Sequence, residues 1–391
     1  MNTALHELAK ALAVFAGALV MLLTADLAWA GSTESRRHLL EAGVDQLVRD
    51  SGISPTEPGL AVLITRPGQV LLMKSYGLAD LGSGAAITRW TRFELASVSK
   101  IMTATAVLML HERGQLSIND DVRKFIPELP HYQPEPLRIS DMLHDVSGLH
   151  DYFDLKDVPQ QNQSYWVSAD YPAEFARQHR EFPLRFPIGE KYEYSNSNYM
   201  LLSLVVERAA KKPFARFLHD EVFVPAGMLN TFVYDSPTSV STAQTCPCNN
   251  ALGYEFENGQ WVESWGTAPA RYEKNMEVGD GGIWSNLSDM ANWDAAVRAH
   301  TLLKPDTMRL ALTPSKTRDG KTNPYGLGWQ LDLYKARYGF GHDGDWSGFK
   351  TLYYNYLTSD HTVVLLSNRG DRLDLRKFWE QLTPLIEAHA P

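Results

Sequence analysis

Residues 59–76, GLAVLITRPGQVLLMKSY, hold two apolar runs separated by Pro67-Gly68. Pro and Gly are strong local punctuators, so the stretch reads as two strands, Gly59 to Arg66 and Gln69 to Tyr76, joined by a tight turn. Strand-like runs return far along the chain, at Thr351 to Tyr356 and His361 to Leu366. Between them the periodicity is helical. From Ser97, residues Ile101, Ala104, Val107, Leu108 and Met109 recur at helical spacing, and Gly114 offers a C-terminal stop. Tyr199 to Ala209 repeats the pattern, and a last helical segment from Leu373 to Ala388 contains Pro384, a residue expected to kink it. Strands at both ends with helices between predict an α+β fold. One sheet is assembled from the two ends of the domain, with a mostly helical region at about 115–270 inserted.

Composition narrows the function. The chain has 391 residues, 44% hydrophobic and 21% charged, enough to bury a substantial core. Lys plus Arg is 37 against 46 Asp plus Glu, with no basic run, which argues against nucleic acid or an anionic membrane surface as partner. The first thirty residues stand apart. Ala11 to Leu23 is apolar throughout and Ala28-Trp29-Ala30 fits an A-x-A cleavage site. The run falls short of the ~20 residues a membrane-spanning helix needs. Residues 1–30 are therefore expected to be an export signal, cleaved after Ala30 to give a periplasmic or secreted protein with no stable membrane span; an uncleaved anchor is the alternative. Residues 31–391 then form the functional domain. The two cysteines, Cys246 and Cys248, are too closely spaced for an easy disulfide and lack a second ligand pair for zinc. They read as loop thiols or a local bridge without catalytic duty.

Three short motifs carry chemistry. Ser-x-x-Lys occurs at Ser97–Lys100 and again at Ser347–Lys350. On a helix, residues three apart share a face, so Ser97 and Lys100 are neighbours, whereas a strand would send Ser347 and Lys350 to opposite faces. A serine hydroxyl is a weak nucleophile until a base takes its proton, and a partly desolvated lysine can be that base. The second motif is Tyr194-Ser195-Asn196, with a decoy, Tyr353-Tyr354-Asn355, inside a strand-like run. A phenol beside an ammonium can be held as phenolate and share the proton relay, and Asn196 offers an amide donor and acceptor for orienting a substrate. The third is His342-Asp343-Gly344, whose glycine lets backbone approach a ligand closely.

Around these motifs the chain resembles the serine β-lactamase-like family of class C β-lactamases, D-alanyl-D-alanine carboxypeptidases, D-aminopeptidases and related esterases. The resemblance runs through FELASVSK (93–100), RGQLSINDDVRKFIPELP (113–130), SGL (147–149) and PIGEKYEYSNSNYMLL (187–202). It continues through PAGM (225–228), DGGIWSNLSDMANW (280–293), YGLGW (325–329), the GHDG segment and LLSN (365–368). It implies an antiparallel sheet flanked by helices, a mostly helical second region and a site between them. It further implies that Ser97 is the acylated nucleophile, Lys100 its proton partner, Tyr194 the acid/base and Asn196 the substrate-orienting amide. His342 and Gly344 would bind substrate, and the backbone N–H groups of Ser97 and Asp345 would form the oxyanion hole. Neither metal nor cofactor is implied.

Two departures from the family pattern matter. Asp145-Val146-Ser147-Gly148-Leu149 stands where many relatives read H-T-S-G-L, a position expected to be structural. His342 stands where β-lactamases of this type carry the lysine of Lys-Thr-Gly. A histidine of ordinary pKa near 6.5 is mostly neutral at pH 7, although Asp343 and Asp345 could raise it. The expectation is thus an exported serine hydrolase acting through acyl-Ser97 on an amide or ester of a small molecule or peptide. Neutral esters, or amides bearing a free amine, are expected to be favoured over β-lactams. An authentic β-lactamase is the alternative within the enzyme class, and a non-catalytic penicillin-binding-type sensor is the alternative outside it. His144, Asp145, His150 and Asp151 do not fall on one helical face, so a metal site is not expected there.

Overall fold

Pro67 and Gly68 turn the chain as their sequence requires, with Gly68 at φ +71°, so that β1 (Leu60–Arg66) and β2 (Gln69–Tyr76) pair antiparallel. The structure, a computed structural model, describes residues 34–154, 171–178, 183–234, 249–264, 278–331 and 339–390. Short strands follow: β3 (Leu78–Asp80), β4 (Ala85–Ala86), β5 (Phe93–Glu94), β6 (Phe232–Val233), β7 (Tyr254–Glu257), β8 (Gln260–Glu263) and β9 (Ile283–Ser285). The C-terminal strands are β10 (Gln330–Leu331), β11 (Gly339–Trp346), β12 (Phe349–Tyr356) and β13 (His361–Ser367).

The main sheet runs β10-β11-β12-β13-β1-β2, every neighbour antiparallel. Chain ends therefore meet inside one sheet, Leu63 of β1 lying opposite Val364 of β13. Six of the seven residues of each strand are buried, which explains why both read as continuous apolar runs rather than alternating ones.

The helices are α1 (34–50), α2 (Ser99–Glu112), α3 (Ile139–Leu143), α4 (Tyr171–Gln178), α5 (Asn196–Ala210), α6 (Phe214–Phe217), α7 (Leu287–Arg298), α8 (Pro305–Ala311) and α9 (Leu375–His389). α2 is buried from Ser99 through Leu110 and has no polar stripe, as a helix without a solvent face should. Its side chains Ile101, Leu108 and Leu110 have no exposure at all, and burial of that kind stabilises by ~1.5–3 kcal/mol per side chain. Gly114, at φ +69°, ends it: Gln115 N–H reaches Leu110 O and Gly114 N–H reaches His111 O, the paired bonds of a Schellman stop.

The inserted stretch is less uniformly helical than its periodicity suggests. β6 pairs with β9 in a three-stranded sheet with β5, and β7 and β8 form a separate hairpin. That hairpin turns on Asn258-Gly259, both at positive φ, and Asn-Gly between alternating residues was a legible signal. Pro384 lies inside α9 without ending it.

The chain divides into two compact units, residues 52–376 and the pair of terminal segments, 1–51 with 377–391. The first holds the sheets and all helices but the terminal two. In the second, the helix at 34–50 and the body of α9 approach closely, because a Cβ on Gly43 would come within 3.1 Å of Leu385. No helix among the described residues is long and apolar enough to cross a membrane. Residues 1–30 and both cysteines lie outside the described residues.

Candidate active site

β5 delivers the chain to the nucleophile. Phe93 and Glu94 pair with β9, Leu95 N–H donates to Ile283 O, and Leu95 O accepts from Thr351 Oγ1 of β12 at 2.6 Å. Ala96 then turns through φ +49°, a left-handed conformation that costs a non-glycine residue ~1–2 kcal/mol. The chain enters a 3₁₀ turn, Ala96–Val98, that runs into α2. Ser97 is left half-buried in the first turn, where backbone N–H groups have no intrahelical acceptor.

One helical turn on, Lys100 is fully buried, and three oxygens surround its Nζ: Ser97 Oγ at 3.0 Å, Asn196 Oδ1 at 2.7 Å and Asp280 O at 2.9 Å. Three acceptors for three protons are what make a buried ammonium tolerable. Tyr194 OH donates to Ser97 Oγ at 2.7 Å. The phenolate expected for Tyr194 is not what this site favours. Burial pushes its hydroxyl well above the usual tyrosine range and outweighs the hydrogen bond to Ser97, so Tyr194 is a neutral phenol.

Asn196 opens α5 and lines the cavity around Ser97, with its amide held between Lys100 and Asp151. Asp151 Oδ2 accepts from both its backbone N–H at 2.8 Å and its Nδ2 at 2.9 Å, which aims Oδ1 at the lysine. Asp145, at φ +53° and fully buried, holds the segment before α5. Its backbone O accepts from Glu193 N–H, and its Oδ1 from Ser195 N–H and Asn198 Nδ2. The structural role expected for that position is thereby seen, as a clamp on both sides of Tyr194.

The third motif lies on β11, not in a turn. Ser347 and Gly348 form the two-residue turn to β12, so Trp346 and Phe349 close the ladder, and Asp343 and Asp345 fall in pairs whose N–H groups point away from β12. Asp343 N–H donates to Gln330 Oε1, as that geometry requires, and Asp345 N–H lies on the same edge. Gly344 is required for close approach to protein rather than to ligand. A Cβ there would sit 2.2 Å from Thr351 Oγ1, 2.6 Å from Leu95 O and 3.0 Å from Ala96 Cβ. Overpacking of that kind costs ~1–3 kcal/mol and would force β11 away from Leu95 and Thr351.

His342 is 1% exposed. Its Nδ1 meets Asp343 O at 2.5 Å and so carries the proton, leaving Nε2 to accept from Tyr325 OH at 2.8 Å. The neighbouring aspartates do not raise its pKa. Burial dominates and pushes it down to about 4, against the opposing effect of Asp343, so the ring is neutral.

These groups border a cavity of about 450 Å³ that contains Ser97, Tyr194, Asn196 and His342, with Asp280, Asp343 and Asp345 as its acidic members. Gln330, Tyr192, Phe153 and Trp346 complete much of the wall, and no Lys or Arg lines it among the described residues. The decoys go elsewhere. Ser347 Oγ bonds Ser264 Oγ while Lys350 pairs with Asp345 and Asp371, and Tyr353 OH is buried against Asp294. His144 Nδ1 contacts Tyr325 O, and Asp145 and Asp151 are engaged as described.

Sequence patterns missed the buried carboxyls, because nothing local announces burial. Glu94 has no exposure; its Oε1 accepts from Ala96 N–H and Gly282 N–H, and Oε2 has no hydrogen-bond partner among the described residues. Burial pushes its pKa from the usual 4.5 up to about 8, and Asp145 behaves likewise. A raised folded-state pKa contributes stability that is complete below pH 4.5 and lost as pH rises through about 8. The lowered pKa of His342 acts oppositely, its contribution being lost as pH falls from 6.5 toward about 4. Between pH 6.5 and 8.5 the two acids therefore dominate, and the melting temperature should fall. Glu94→Gln keeps an oxygen for both N–H groups and should flatten that fall. An unchanged slope in a thermal melt series would mean Glu94 is already ionised.

Comparison with known proteins bears on the family and the fold. The family model described as Beta-lactamase matches residues 44–385. Penicillin-binding protein 4* of Bacillus subtilis (strain 168) is 28% identical over 318 residues, covering 79% of this chain and 68% of that protein. A D-aminopeptidase of Brucella anthropi is 27% identical over 299 residues, covering 75% of this chain and 52% of its own length. The chain thus spans about half to two thirds of these relatives. Among solved structures, the D-amino acid amidase from Ochrobactrum anthropi SV3, complexed with L-phenylalanine amide, superposes with a TM-score of 0.70 at 20% identity, covering 90% of this chain and 99% of that one. The likeness confirms the mixed helix and antiparallel-sheet fold.

Proposed function

The chain belongs to the Beta-lactamase family, and from that premise we propose that it is a serine hydrolase cleaving an amide or ester through a covalent acyl-Ser97 intermediate. One observation carries the reading: Ser97 Oγ, open to a cavity, lies 3.0 Å from Lys100 Nζ and 2.7 Å from Tyr194 OH. Lys100 must first shed one ammonium proton to solvent; the resulting amine, still held by Asn196 and Asp280, takes the serine proton as Oγ bonds the substrate carbonyl carbon. The carbonyl oxygen gathers charge where the N–H groups of Ser97 and Asp345 can meet it. Lys100 is fully buried, so Tyr194, which lines the cavity, hands a proton to the departing amine or alcohol as the bond to carbon breaks. Lys100 makes good that proton, and water then repeats the sequence on the acyl-enzyme, returning the hydroxyl hydrogen to Ser97.

Charge supports a substrate class. Among the described residues, a wall with three aspartates and a neutral His342 offers no fixed cation for a β-lactam carboxylate. Neutral esters, and amides bearing a free amine such as the D-aminopeptidase relative's name describes, fit it better. Comparing kcat/KM for nitrocefin with that for p-nitrophenyl esters and D-amino acid amides tests this. Efficient nitrocefin hydrolysis with the others inert would overturn the preference and favour an authentic β-lactamase.

The apolar run 11–23 and Ala28-Trp29-Ala30 support export with cleavage after Ala30. N-terminal sequencing of protein recovered from the periplasm or medium should begin at Gly31; intact Met1 there would refute cleavage.

A further inference from the structure

Phe153 is 41% exposed, a large apolar ring left in water at the edge of the Ser97 cavity. It is nonetheless held in place. Its N–H donates to Asp151 Oδ1 at 3.0 Å, and its ring lies 4.3 Å from that of Tyr152, which is fully buried and anchored through its hydroxyl to Asp280 at 2.8 Å. On its other side it meets Trp346 at the end of β11, ring centroids 5.7 Å apart and tilted by 41°. The pair joins the turn at Tyr152–Asp154 to the β11–β12 hairpin, and Trp346 directly follows Asp345, whose N–H faces the open edge. Both rings line the same cavity as Ser97 and Asp345.

We propose that Phe153 and Trp346 form a subsite for the acyl side chain that selects flat apolar, chiefly aromatic, groups; this rests on the acyl-Ser97 reading. The rest of the wall is largely polar, with Tyr194, Asn196, Gln330 and the aspartates, so an apolar acyl group has these rings as its partner. A third ring stacked or edge-on against them removes its own surface and that of Phe153 from water, and offset and edge-to-face packing adds to the gain. Because the rings are held before substrate arrives, little ordering entropy opposes the contact.

The test compares kcat/KM for p-nitrophenyl 3-phenylpropanoate and p-nitrophenyl acetate, both neutral and sharing a leaving group. Wild type should favour the aromatic ester by about tenfold or more, and the ratio should fall toward unity in Phe153→Ala and in Trp346→Ala. Phe153 is half-exposed, so its variant should fold even if the Trp346 variant does not, and Phe153→Ala alone then decides. A ratio near one in wild type, or one that Phe153→Ala leaves intact, overturns the subsite. Labelling of Ser97 by a fluorophosphonate reports separately on the underlying reading. Labelling with a flat ester ratio sinks the subsite alone, whereas neither labelling nor turnover sinks both.

Discussion

Ser97→Ala will lose fluorophosphonate labelling and turnover together, with kcat falling by on the order of 10⁶-fold, the loss serine hydrolases show when the nucleophile is removed. The change deletes one oxygen from a half-buried side chain. Lys100 keeps Asn196 Oδ1 and Asp280 O as acceptors, and Tyr194 loses the hydroxyl it donates to. The fold should therefore persist, with a melting temperature within a few degrees of wild type. Mass spectrometry of the labelled wild-type protein should place the adduct on the peptide containing Ser97. An adduct on Ser347 would show that the second Ser-x-x-Lys is the reactive one, against its turn geometry and its bond to Ser264.

Lys100→Met and Tyr194→Phe should each lower kcat by ~10²–10⁴-fold, the range typical of a lost general acid–base group. Methionine keeps most of the buried lysine's volume and phenylalanine keeps the tyrosine ring, so both tests bear on the proton rather than on packing. Both residues contact Ser97 Oγ and share one proton path, so the double variant should lose far less than the product of the single losses. Leaving-group chemistry separates their roles. p-Nitrophenolate departs without help from an acid, whereas an amine must be protonated to leave. Tyr194→Phe should therefore hurt amide hydrolysis more than p-nitrophenyl ester hydrolysis, and Lys100→Met should hurt both alike. Equal losses on the two substrates for Tyr194→Phe would remove it from the leaving-group step.

Much of this arrangement was legible in order along the chain. The Pro67-Gly68 turn, the helix that follows Ser97 with its stop at Gly114, and the helix opening at Asn196 follow from short-range rules. Choosing the Ser97 copy of Ser-x-x-Lys over the Ser347 copy needed only the different side-chain periods of helix and strand. Three expectations met forces that no local pattern records. Tyr194 is neutral rather than ionised because burial outweighs the hydrogen bond to Ser97. His342 is neutral, as an ordinary histidine would be at pH 7, but it is burial that keeps it so against the pull of Asp343. The amide of Asn196 serves the lysine, because Asp151, forty-five residues earlier in the chain, orients it.

The sequence by itself determined the local elements, the set of residue types able to run acyl transfer and the absence of a lysine in the third motif. Periodicity, turn chemistry and i, i+3 adjacency act over a few residues and need no distant partner. Only the tertiary structure decided which groups surround Lys100, that Asp345 N–H faces an open sheet edge, and that Gly344 is demanded by Leu95 and Thr351 rather than by a ligand. It alone decided that Phe153 and Trp346 meet beside Ser97. The physical reason is common to all of these. Desolvation and close packing depend on every atom that arrives from elsewhere in the chain, and a residue's own neighbours in sequence supply only a small part of them.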